Sequence, residues 1–204
     1  MEHTFRLPVT TEEMAQYATE ASLVQQTNDI SLAKRAARGD RQAFGELYET
    51  YMDRIYRYVF YQVKDKMAAE DLTEEIFLKV WRGIGSFSGN KHSFSTWLYR
   101  IAHNHTMDYF RAKRNWLVSI EQARMGSETL GATENPEQIV QNKLMQEELM
   151  ELVSTLPEQQ KEVIILKFIE GLNNHEIEQI TGRSQGAIRI TQMRALATLQ
   201  QILV

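Results

Sequence analysis

Punctuation constrains this chain more than any other feature. Only three prolines and ten glycines interrupt 204 residues, so long runs proceed with nothing to stop a helix. Leu, Ile, Ala, Glu and Gln dominate over Val and Thr, and no segment alternates apolar and polar residues as a half-buried strand would. The expected fold class is all-α. The breaks that do occur divide the chain. Asp29 can cap a helix that ends at Gly39, and Asp40 can cap the next, "RQAFGELYETYMDRIYRYVFYQV". A third helix is expected from about Met67 to Arg82, then a Gly/Ser loop, "GIGSFSGNKHS", then a long helix from about Phe94 to Asn115. The weakly periodic "VSIEQARMGSETLGATE" reads as a linker. Asn135-Pro136-Glu137-Gln138 supplies an N-cap, a first-turn proline and a capping-box partner. Pro157-Glu158 opens another helix, Gly171 stops it, and two short helices separated by "TGRS" close the chain.

The architecture that follows is two small helical domains joined by a linker, the C-terminal one a helix-turn-helix. Residues 1–29 read as a poorly packed extension, 30–115 as the first domain, 116–135 as the linker and 136–204 as the second domain. The absence of Cys excludes a disulfide framework and thiolate metal ligation. No apolar run is long enough to span a bilayer and no signal peptide is evident, so no membrane insertion and a cytoplasmic location are expected.

The net charge of −4 is unevenly spread. Residues 31–115 hold 15 Lys and Arg against 10 Asp and Glu, whereas residues 116–204 hold 7 against 12. A basic middle between acidic flanks suits a module that handles a polyanion.

Within that middle, "RIAHNHTMDYFRAKR" sets His103 and His105 close to Asp108. At about 100° per residue, Phe94, Leu98, Ile101, Ala102, His105, Tyr109 and Ala112 make a core stripe, with Trp97 at its edge. Arg100, His103, Asn104, Met107, Arg111 and Arg114 share another face. His103 and His105 therefore project to nearly opposite sides and cannot share a metal on an unbroken helix. Neither a metal site nor any cofactor is expected. The basic, amide-bearing face suits nucleic acid, since Arg fixes phosphates and Asn can bond a base edge. Lys91, His92 and Phe94, beside Trp97, offer charge and aromatic surface for an unstacked base. A solvated helix face over core aromatics fits the same spacing equally well.

On "AAEDLTEEIFLKVWRG", Ala69, Leu72, Ile76, Phe77 and Val80 point inward, while Asp71, Glu74, Glu75 and Leu78 share the outward side with Trp81 at its edge. Acidic residues around an exposed Leu suit a basic, partly apolar protein partner; a solvated acidic face is the plainer alternative. In "NNHEIEQITGRSQGAIRITQMRALATLQQIL", Gly182 allows a tight turn and Ser184 can cap the second helix. There Ile188, Ala195, Leu199, Ile202 and Leu203 form the expected buried stripe, and Arg189, Ile190, Met193 and Arg194 look outward.

These pieces in this order resemble an extracytoplasmic-function sigma factor, the promoter-specificity subunit of bacterial RNA polymerase in the sigma-70 family. The resemblance rests on "ARGDRQAFGELYETYMDRIYRYV", "AAEDLTEEIFLKVWRG", "FSGNKHSFSTWLYRIAHN...DYFRAKR" and "LPEQQKEVIILKFIEGLNNHEIEQITGRSQGAIRITQMRA", which cover most of residues 31–200. It implies a non-catalytic subunit that binds core RNA polymerase through Asp71, Glu74, Glu75, Leu78 and Trp81. It assigns the −10 element to Asn90, Lys91, His92, Ser93, Phe94, Trp97, Arg100, Asn104, Arg111, Lys113 and Arg114, with one base flipped out of the stack. It assigns the −35 element to Arg189, Ile190, Met193 and Arg194, and it implies an anti-sigma factor as a further partner. The family pattern has a small residue at Glu178, apolar ones at Arg183 and Gln192, and a basic one at Thr191. These departures imply a less well packed, less basic C-terminal module. Three other readings stay open at this point. A stand-alone helix-turn-helix regulator predicts tight duplex binding by residues 136–204, and a hydrolase using His103, His105 and Asp108 predicts bound metal. The third is a plain helical adaptor.

Overall fold

The computed structural model describes residues 11–89, 92–123 and 151–203, with side chains described over 24–89, 92–116 and 151–202. All regular structure among the described residues is helical. Helices α1 (Thr11–Ala36), α2 (Arg41–Val63), α3 (Lys66–Gly83) and α4 (Phe94–Ala123) make the first module, with a 3₁₀ turn at Ile84–Ser86. After a helical stretch at 151–154, α5 (Glu158–Ile164) runs into a π turn (Ile165–Ile169), followed by α6 (Asn174–Thr181) and α7 (Gln185–Leu203).

Local chemistry sets the boundaries. Asp40 caps α2 by accepting from the Ala43 amide at 3.1 Å, and Asp65 caps α3 by accepting from Ala68 at 3.0 Å. Between them Lys64 takes a left-handed conformation, φ 54°, and its N–H closes α2 on the Phe60 carbonyl. Ser93 caps α4 through its hydroxyl, which accepts from the Thr96 amide at 3.1 Å. In the second module Asn173 and Glu176 form a reciprocal capping box on α6. Gly182, at φ 72°, then makes the turn into α7 that a Cβ would strain.

The apolar faces meet as the periodicity requires. Leu47, Ile55, Ile76, Val80 and Leu98 are fully buried in the first module, as are Val163, Leu166, Ile177, Ile188 and Ala195 in the second. Each Leu, Ile or Val among them contributes about 1.5–3 kcal/mol. The two modules also dock on each other, α4 against α6 and α2 against α5, so their buried residues form one continuous cluster.

The structure corrects several expectations. Asp29 caps nothing: α1 starts at Thr11 and runs through it, and its buried carboxylate accepts from the Tyr51 hydroxyl and, at 2.7 Å, from Gln25 Nε2. Helix α4 continues past Asn115 to Ala123, so the start of the expected linker is helical. The last helix is long, at 19 residues, and Ile202 is 46% exposed rather than buried. Its stripe ends at Leu199, because α7 outruns the module it packs on. The capping sequence Asn135–Gln138, most of the expected linker and the Leu203 side chain lie outside the described residues. Among the described residues no helix is long and apolar enough to cross a membrane.

Candidate nucleic-acid and protein interfaces

Helix α3 buries Ala69, Leu72, Ile76, Phe77 and Val80. That leaves Asp71, Glu74, Glu75, Leu78 and Trp81 exposed. Trp81 packs edge-on against Phe44 of α2, which fixes its ring at the rim of the acidic face. Glu75 is tied from below: its Oε2 lies 2.7 Å from His105 Nε2, an ion-pair separation, while His105 Nδ1 meets Lys79 Nζ at 2.6 Å. His105, its side chain 11% exposed, lies at the edge of the core stripe as the periodicity places it and bridges α4 to the polar side of α3.

On α4, Arg100, Asn104, Arg111, Lys113 and Arg114 are all exposed. Arg111 is braced by Asp108 at 2.7 Å, and Lys113 lies 5.8 Å from the Tyr109 ring centroid. The expectation places His103 on this face, but the structure buries it. Its Nδ1 lies 2.5 Å from Glu162 Oε1 of α5. Helical periodicity positions a side chain only within its own module, and here the second module covers His103. The two histidines therefore serve different partners, and among the described residues no His/Asp/Glu cluster could hold a metal ion.

The loop before α4 is built on an aromatic floor. Phe94, 1% exposed, contacts Tyr51, Phe87 and Trp97, so it supports the loop rather than presenting itself to a ligand. Trp97 remains half-buried beside it. Gly89, at φ 69°, presses this loop onto α1, where an added Cβ would stand 3.1 Å from Ile30 Cγ2. Asn90 and Lys91 lie outside the described residues. His92 and Thr96 engage the second module. His92 Nδ1 meets Gln179 Oε1 at 2.8 Å, and Gln179 Nε2 meets His175 Nε2 at 2.7 Å. Thr96 Oγ1 makes a long 3.4 Å contact to Glu176 Oε1.

On α7, Arg189, Ile190, Met193 and Arg194 are exposed over a base of buried Ile188, Ala195 and Leu199. The departures from the family pattern find partners here. Gln185 donates to Glu178 at 2.9 Å, Gln192 donates to Asn174 at 3.1 Å, and Arg183 reaches Glu162 at 3.3 Å. Polar ties between α6 and α7, and from Arg183 to α5, stand where the family pattern has small or apolar side chains. The hydrogen bond from Gln185 is the main reason the Glu178 carboxyl sits below its usual range.

Between the modules lie two buried carboxylates. Glu162 accepts from the Tyr58 hydroxyl at 3.0 Å as well as meeting His103 and Arg183. Glu170 accepts from Arg54 Nε at 3.0 Å and from the Tyr99 hydroxyl. Burial first, and the adjoining carboxylates next, push the Tyr58 and Tyr99 phenols well above their ordinary range. Burial works against the Arg54 charge, but Tyr99 and Glu170 more than restore it and hold its pKa high. Eight residues in a plain α-helix would leave Glu162 and Glu170 roughly 80° apart. The π turn takes up about one residue of that rotation and brings both onto the face toward α2 and α4.

Residues that the sequence reasoning missed are His103 and Gln179 in the intermodule contact and Trp116 beyond the basic run. Trp116 is 61% exposed beside Arg114. An aromatic following three cations could have been noticed, whereas the Gln179 contact carries no sequence signal.

Two family descriptions match these modules: Sigma-70 region 2 over residues 47–115, and Sigma-70, region 4, over residues 146–199. The ECF RNA polymerase sigma factor BldN of Streptomyces coelicolor is 39% identical over 177 residues, covering 85% of this chain and 65% of that relative. The chain therefore spans just under two thirds of that relative's length. The ECF RNA polymerase sigma factor SigW of Bacillus subtilis is 31% identical over 174 residues, covering 82% of this chain and 92% of SigW. The structure of CnrH in complex with the cytosolic domain of CnrY shares the fold, with a TM-score of 0.64 at 23% identity over 86% of this chain and 97% of that one. The chain belongs to the sigma-70 family, among its ECF RNA polymerase sigma factors.

Proposed function

We infer that this chain is a detachable, non-catalytic specificity subunit that directs core RNA polymerase to promoters in the cytoplasm. One observation carries the reading: Arg189, Ile190, Met193 and Arg194, the positions the family gives to −35 recognition, are the ones exposed on the second helix of the helix-turn-helix. Residues 30–115 act as the region that holds polymerase and opens the −10 element, and 136–204 as the −35 module. Asp71, Glu74, Glu75, Leu78 and Trp81 dock on polymerase. His92, Ser93 and Trp97 form the base-reading rim over the Phe94 floor, joined by Asn90 and Lys91. Arg100, Asn104, Arg111, Lys113 and Arg114 follow the strand. An anti-sigma protein covering these surfaces is the regulatory partner that the family implies.

Abortive transcription with bacterial core polymerase on a pool of randomised promoter fragments tests this. Selective initiation that depends on the added protein is the expected result. No initiation with folded protein and a cognate polymerase would move the reading to a stand-alone regulator.

A further inference from the structure

Four cations crowd the corner between α1 and α2, outside every surface assigned so far. Residues 31–41 hold Lys34, Arg35, Arg38 and Arg41 against Asp40 alone. Asp40 is already committed, since it caps α2 and takes Arg35 in an ion pair at 2.7 Å. Lys34, Arg38 and Arg41 are exposed and pair with no carboxylate among the described residues. The last turn of a helix attracts cations in any case, but Lys34 does more than end α1. Its Cε lies 3.5 Å from where a Gly89 Cβ would stand, and the Phe87 ring approaches the same point at 3.7 Å. Its ammonium, one bond further along, therefore stands beside the loop just before Asn90, Lys91, His92 and Ser93. Cations bound that loop at both ends, Lys34 beside Gly89 and Arg100 with its neighbours on α4 beyond Phe94. The chain continues from α4 into the −35 module, so the α4 face takes the strand on the −35 side of the flipped base. The corner is left for the strand on the transcription-start side.

We propose that Lys34 and Arg38, with Arg41 behind them, bind phosphates of the non-template strand just beyond the −10 element, on its transcription-start side. The inference rests on the sigma reading and lengthens its DNA path. Arg38 follows Lys34 by about one turn, and Gly39, at φ 92°, reverses the chain to bring Arg41 to the same corner. Ammonium and guanidinium groups hold phosphates without reading bases, so the corner adds affinity whatever the sequence. Anchoring the strand on both sides of the flipped base also opposes its return to the stack. Each single-strand phosphate contact steepens the log–log salt dependence by about 0.7, so two contacts amount to roughly sevenfold between about 50 and 200 mM salt.

The test uses the full chain assembled with core polymerase, and a fluorescent promoter fragment recovered from the randomised pool. Its non-template strand either stops at the end of the −10 element or continues to the start site. On the continued strand, the wild type should lose roughly sevenfold more affinity than K34Q/R38Q between about 50 and 200 mM salt. On the short strand the two proteins should match. K34R/R38K keeps both charges and should behave as wild type. A K34Q/R38Q that weakens both strands alike, or leaves the salt dependence on the continued strand unchanged, would overturn the proposal. So would loss of core-polymerase pull-down by that variant, which would make the corner a protein contact. In the wild type, thiothymidine placed just beyond the −10 element should crosslink within residues 31–41. Crosslinks confined elsewhere would overturn the proposal even if the variants fail to fold. Failure of the wild type to initiate at all would sink the sigma reading itself, a result distinct from initiation that ignores the corner.

Discussion

Arg54 and Glu170 show how much a single buried charge depends on its partner. The Glu170 side chain is 1% exposed, and Arg54 supplies both a bond to its carboxylate and one to its backbone carbonyl. Replacing Arg54 with Ala should therefore cost roughly 2–3 kcal/mol in urea unfolding, toward the low end for breaking a buried pair because Arg54 is itself one third exposed. R54M/E170Q, which removes both charges, should recover most of that loss. Failure to recover would mean that shape rather than charge holds the contact. The phenols beside these carboxylates add a pH dependence. Tyr58 and Tyr99 have folded-state pKa values above the ordinary 10.0, so the fold favours their neutral forms. Their contribution is complete below pH 10.0 and is lost as pH climbs above it toward the folded values. Urea midpoints should drop above that pH, and Y58F/Y99F should flatten the drop. None of this was legible residue by residue. Helical periodicity places His103 outward correctly for an isolated α4, but it cannot know that α5 arrives from 59 residues away to cover it.

At the scale of the element, boundaries marked by caps were readable and unmarked ones were not. Asp40, Ser184 and Gly182 announce α2, α7 and the turn between α6 and α7, and the structure uses each of them so. Pro8 and Gly126 each stand three residues outside the start of α1 and the end of α4 and mark them only loosely, and both helices run further than composition suggested. Faces fared better than ends, since the inward residues of α3 are those the periodicity selects. The acidic face opposite them supplies the element's prediction. D71K/E75K should abolish pull-down by core polymerase and leave helicity unchanged, with at most about 1 kcal/mol lost from the Glu75–His105 contact. Retained binding would return α3 to a merely solvated face. For α7, R189A/R194A should lower the salt slope of −35 duplex binding by about 0.9 for each phosphate contact removed. An unchanged slope would mean that neither Arg touches the backbone.

The whole molecule differs most from what its sequence suggests. Two modules could be read from caps, charge and the break between them. That they share a core could not, because the buried acceptors Glu162 and Glu170 look like ordinary solvated charges in a helix of mixed composition. Their partners lie up to 116 residues away on α2 and α4. A shared core has a thermodynamic signature that independent modules lack. When the buried cluster runs through both modules, neither can unfold without exposing apolar surface on the other, which couples their melting. Calorimetry of the free wild-type chain should therefore give a single transition whose calorimetric and van't Hoff enthalpies agree. R54E sets a like charge against Glu170 and gives up the Arg54 contacts on the Tyr51 and Tyr99 rings, and it should split that transition into two. Two separate transitions in the wild type would mean that the modules unfold as strangers and that the docking between α2, α4, α5 and α6 adds little to stability. A single transition in both proteins would place the coupling in the apolar contacts instead, leaving the two carboxylates to orient the modules rather than hold them.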